Sequence, residues 1–187
     1  MLKRGLLHKA FQTYWKDMER CRGAKAYWCL LHVTVCLPDI CAALQSTDGE
    51  SKGNRYIAWC DQWLAHAALS GVERWAMRCK VLHQGRASTG MHKRYTAFAF
   101  GQPHDTGTVD HMRVDSTTLH LDVGALAAET QQAVARWIEW LEANPSSSEA
   151  RNVEKHLPSL VRVNRAVVMT PASSGGVTLI SIVGKTN

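Results

Sequence analysis

A chain of 187 residues with 45% apolar content is long enough to bury one hydrophobic core and too apolar for a disordered segment. Its net charge of +6 is uneven: residues 1–94 carry 15 Lys/Arg against 7 Asp/Glu (+8), and residues 95–187 carry 7 against 9 (−2). The basic half is expected to meet an anionic partner, RNA or another nucleic acid first, and the lack of any run of about 18 apolar residues predicts no membrane span.

From the start, Met1 to Lys9 is too polar for a secretory leader, so a cytoplasmic location is expected. Leu7, Phe11, Tyr14, Trp15 and Met18 share one helical face, which predicts a first helix from about Lys3 to Cys21, stopped by Gly23. Tyr27 to Leu37 is apolar on nearly every side and reads as a central buried helix beginning near Ala24. Pro38 is expected to break or kink it and to open a new helical segment, Asp39 to Leu44. Ser46 to Asn54 is a polar loop, and a Trp-rich helix is expected from Arg55 to Ala67.

The best-marked helix follows. Ser70 and Glu73 form a capping-box pattern before Val72–Gln84, and Gly85 supplies the stop. Beyond it, Tyr95–Phe100 and Met112–Leu121 partly alternate and predict two strands around a loop at 101–110. A helix is expected over Val123–Ala143, a shorter one over Glu149–Leu157, and a late strand over Val177–Val183 after the Ala172–Gly176 loop. The fold expected is mainly α, a helical bundle over 1–90 with a β-hairpin or small sheet and a helix over 91–187 packed on the same domain.

All six Cys lie between Cys21 and Cys79 without C-x-x-C spacing, and most have apolar neighbours. They are read as reduced core thiols, with no metal site and no cofactor implied. No Walker loop, H-E-x-x-H or G-x-S-x-G occurs.

Chemistry is concentrated in Arg78 and His83. A guanidinium clamps a phosphate while an imidazole moves a proton, so the pair can cleave RNA without a metal. Residues i and i+5 lie about 140° apart on a helix. Arg78 must therefore bend round, or two antiparallel copies of the helix in a homodimer must share one cleft. His83, in the last turn at the negative end of the helix dipole, is expected to favour the imidazolium and serve as general acid.

Asp39 is the expected half-buried partner of Arg78, with Cys79 and Gln84 as supporting residues. Lys80 and Arg74 are candidate phosphate contacts. Trp59, Trp63 and Trp75 are expected to pack in the core more than to stack on bases. Three more Arg/His pairs share similar spacing: Arg86/His92, Arg113/His120 and Arg151/His156. The last is the main rival, because Asn152 follows its Arg. Arg78/His83 is preferred for its capped helix, apolar neighbours and following glycine.

The string Met77-Arg78-Cys79-Lys80-Val81-Leu82-His83-Gln84-Gly85 resembles the Arg-x-x-x-x-His signature of the HEPN superfamily. Cys36-Leu37-Pro38-Asp39-Ile40-Cys41, the polar loop and Arg55-Tyr56-Ile57-Ala58-Trp59 also resemble small bacterial proteins of that kind. The resemblance spans about Ala24 to Gly85, with Cys79 where the family usually has Asn or Asp. It implies a helical bundle and a metal-independent endoribonuclease, a toxin or phage-defence effector with an antitoxin or partner protein. The other expectation is a non-catalytic module binding RNA, a nucleotide or a partner protein.

Overall fold

The computed structural model describes residues 5–87, 94–102, 110–160, 167–171 and 177–181. Two compact units divide the chain, Met1–Leu157 and Pro158–Asn187.

The first unit is mainly helical: α1 Leu6–Gly23, α2 Tyr27–Gln45, α3 Gly53–Trp63, α4 Gly71–Gln84, α5 Val123–Ala143 and α6 Ser148–His156. Helix α2 is the axis of the core, with Leu30, Leu31, Val35, Leu37 and Cys41 at 0–2% exposure. Leu7 and Phe11 of α1, Trp59 of α3, Met77 of α4 and Trp137 of α5 are buried with them. Trp137 lies edge-on to both Phe11 and Trp59, at 6.0 and 6.4 Å. Burying such rings contributes on the order of 2–3 kcal/mol each.

Pro38 does not end α2, as the sequence led one to expect. The helix runs through it to Gln45. A proline removes one backbone donor. The Tyr56 hydroxyl approaches the neighbouring Val35 carbonyl at 3.4 Å, and Leu37 and Pro38 are both buried. At 19 residues and mean hydropathy 1.6, α2 is long and apolar enough to cross a membrane, but half of that stretch is buried inside the protein.

A three-stranded sheet, β1 Ala97–Gly101, β2 Arg113–Asp115 and β3 Thr118–Asp122, has the order β1-β3-β2. The second expected strand folds on itself through Ser116, at φ 54, into the β2–β3 hairpin. The first pairs with β3 in parallel, Phe98 opposite Leu119 and Phe100 opposite Leu121. Phe98 and Leu119 are buried, whereas β2 is exposed throughout. Asp122 caps α5 by accepting from the Ala125 N–H.

In the second unit, β4 Val167–Pro171 and β5 Val177–Ser181 form an antiparallel pair. The strand β4 had no clear sequence signal. Most of the 101–110 loop, the Ala172–Gly176 loop and the end of the expected strand at Val183 lie outside the described residues.

Candidate functional site

Helix α4 begins as its sequence dictates. The Ser70 N–H donates to Glu73 Oε2 at 2.6 Å, and the Glu73 N–H reaches back to Ser70 Oγ. Asp61 of α3 takes the Gly71 N–H at 2.6 Å, placing a carboxylate at the positive end of the helix. At the other end Gly85, at φ 56, returns its N–H to the Lys80 carbonyl.

Between these caps, Arg78 and His83 meet within one chain: Arg78 Nη1 lies 2.8 Å from His83 Nε2. The two positions are separated by roughly 7.5 Å along the axis. The long arginine side chain lies along the helix surface and spans that gap, so no second copy is needed to bring the groups together. A guanidinium only donates, so His83 Nε2 must accept. A ring nitrogen that accepts in this way is placed to take a proton.

Three further groups fix Arg78. Its Nε donates to Asp39 Oδ2 at 2.5 Å, with side-chain exposures of 19% and 14%. The other carboxylate oxygen accepts from Ser51 Oγ at 2.6 Å. Beneath the guanidinium lies the Trp75 ring, 5.1 Å from carbon to centroid. Burial alone pulls the pKa of Arg78 down, but the hydrogen bond and charge of Asp39, aided by Cys79, outweigh it and leave it raised. Cys36 is also close enough to feel the pair: burial and Asp39 push its thiol up, and Arg78 pulls it down.

Cys79 is half-buried and contributes to the field at Arg78. Gln84 accepts from Lys80 Nζ at 3.0 Å on the exposed end of α4, so these two hold each other. Arg74 is buried rather than exposed on its helix: it is 3% exposed, donates to the Leu64 carbonyl and faces Glu129 at 3.9 Å. The rival pair is not brought together: Arg151 donates to the Ser146 carbonyl, while His156 meets the Thr47 carbonyl and packs against Gly49. Arg113 and His120 are partners across β2 and β3, and His92 lies outside the described residues.

Trp59 is fully buried, Trp63 packs on Trp140, and Trp75 packs on Tyr56 as well as under Arg78. The cysteines are free thiols, but only Cys41 and Cys60 are core; Cys29 is exposed. Among the described residues, no three His, Cys, Asp or Glu side chains are grouped to hold a metal ion.

Two contacts of the site go beyond what the sequence predicts. Trp75, expected in the core, also lies beneath Arg78; it precedes Arg78 by three positions, and i,i+3 neighbours share a helix face, so that signal was present. Ser51 lies in a polar loop without periodicity and carried none. No family model, curated protein or solved structure matches the chain.

Proposed function

We propose that this protein is a metal-independent endoribonuclease of the HEPN type, acting through Arg78 and His83. One observation carries the reading: an imidazole and a guanidinium stand 2.8 Å apart at the surface, with the guanidinium anchored from behind by Asp39.

The chemistry follows from the hydrogen-bond roles. His83 Nε2 takes the proton of an RNA 2′-hydroxyl, and the freed oxygen attacks the adjacent phosphorus. The bond from phosphorus to the 5′-oxygen breaks, leaving a 2′,3′-cyclic phosphate and a 5′-hydroxyl. Arg78 turns from the imidazole to the phosphoryl oxygens as charge develops there. The proton needed by the departing 5′-oxygen comes from a protonated His83 of a second copy. A homodimer suits this because Val72, Trp75, Cys79 and Leu82 form an outward stripe on α4, none of them fully buried and Val72 40% exposed.

The test is cleavage of single-stranded RNA in EDTA, with product ends identified. Arg78→Ala and His83→Ala are each expected to lower the rate at least a hundredfold. Wild-type rates in both variants sink the reading. If the rate fails only with Arg151→Ala or His156→Ala, the rival pair is the site.

A second reading has its own support. Arg78 is already satisfied by Asp39 and His83, as in a structural pair. On that reading the protein is a non-catalytic module that binds RNA, a nucleotide or a partner protein such as an antitoxin. It is recognised by salt-dependent RNA binding without turnover.

A further inference from the structure

Away from Arg78 and His83, a cavity of about 190 Å³ opens beside the C-terminal end of α3, lined by Trp63, Leu64, Arg74, Glu129, Gln132 and Arg136. Two guanidiniums meet it. Each uses one donor on a carbonyl at the end of α3: Arg74 Nη2 on Leu64 at 3.2 Å, and Arg136 Nη2 on Trp63 at 2.8 Å. Arginine has five such donors.

Arg74 is the unusual one. It is 97% buried, yet its nearest carboxylate oxygen, on Glu129, is 3.9 Å away. The other oxygen of Glu129 is held by His111 at 3.0 Å. Arg74 Nε and Trp63 Nε1 are both buried without a hydrogen-bond partner among the described residues. A buried cation is costly unless closely paired and fully hydrogen-bonded. Burial accordingly lowers the pKa of Arg74, against the opposing pull of Cys60, Tyr56 and Glu129. His66 also lines the cavity; its Nδ1 accepts the Ala68 N–H, which leaves Nε2–H as a further donor. Two permanent positive charges and several donors thus surround a space with one carboxylate, itself shared with His111.

We propose that this cavity binds a small oxyanion, a phosphate or carboxylate group, between Arg74 and Arg136. The anion completes the pairing that Glu129 makes only at a distance, and the planar guanidinium fork fits two oxygens of either group. Arg136 and Gln132 are exposed, so the cavity opens to solvent on the α5 side.

Inorganic phosphate and acetate, titrated separately into the full chain at fixed ionic strength, test this through the shift of Tm and a directly measured Kd. A saturable rise with phosphate alone identifies a phosphate group as the ligand; with acetate alone, a carboxylate; with both, the shared oxyanion. Each supports the site. Arg136→Gln is expected to weaken binding about tenfold or more, from the loss of one charge-assisted contact. Gln132→Glu, which adds a carboxylate at the mouth, is expected to abolish it. Both positions are exposed, so neither change threatens the fold. Arg78→Ala is expected to bind as wild type does, which keeps this result separate from the ribonuclease proposal. Absence of saturation with either anion, undiminished binding by Arg136→Gln, or loss in Arg78→Ala overturns the assignment.

Discussion

Removing the Asp39 carboxylate takes away the charged partner of Arg78 and the acceptor for Ser51 together. Hydrogen bonds to charged groups contribute roughly 1.5–3 kcal/mol, and both side chains here are mostly shielded, so Asp39→Ala is expected to destabilise the fold by about that much. Asp39→Asn, which keeps an amide oxygen for Arg78 or Ser51, should cost less. A cycle with Arg78→Ala, followed by chemical denaturation, is expected to give a coupling of at least about 0.5 kcal/mol. Strict additivity would mean the pair does not form. Such a pair was legible in outline, because a carboxylate inside an apolar helical stretch needs a partner and Arg78 was the nearest suitable cation by type. The burial of Arg74 was hidden for the converse reason. Its neighbours on α4 do not disclose that Glu129 and Leu126, more than fifty residues later, pack over that face.

At the scale of elements, the helix bounds follow local chemistry wherever a cap is written into the sequence. Ser70 and Gly85 frame α4, and Asp122 and Asn144 frame α5. Pro38 misleads because helix continuity there depends on packing from both sides, which no local pattern records. The parallel pairing of β1 with β3 is likewise a tertiary choice, since alternation gives strands but not their partners. The two glycines at the ends of α4 should respond differently to substitution. At Gly71 a Cβ would stand 2.4 Å from the Ile57 carbonyl oxygen and 2.7 Å from Asp61, where α3 and α4 touch. Gly71→Ala must separate the helices and is expected to cost on the order of 1–3 kcal/mol. At Gly85 the space is open and only the left-handed backbone opposes a side chain, so Gly85→Ala should cost nearer 1 kcal/mol. Thermal unfolding of the two variants ranks them, and a milder effect at Gly71 would contradict the close helix contact.

For the molecule as a whole, the interior that the apolar periodicity foretold also holds two thiols and the Tyr56 hydroxyl in neutral form. Burial pushes the Cys60 thiol up to about 12 from an ordinary 9.0, and pushes Cys41 and the Tyr56 hydroxyl up as well. In the unfolded chain these groups ionise near their ordinary values. Below about pH 9 both states hold the thiol proton, and the contribution to stability is fully present. As pH rises from 9 toward 12 the unfolded state releases protons that the folded state retains, so stability falls, by up to about 1.4 kcal/mol per pH unit for each such thiol. Guanidinium unfolding curves at pH 7.5, 9 and 10.5 should therefore show little change over the first step and a clear loss over the second. Alkylation of the native protein provides the companion measurement. Exposed Cys29 should label first, while buried Cys41 and Cys60 stay silent until unfolding. Stability unchanged at pH 10.5, or Cys60 labelling at the rate of Cys29, would show that water reaches the centre between α2 and α3. The close packing that holds Asp39 and Arg78 in register could not then be maintained.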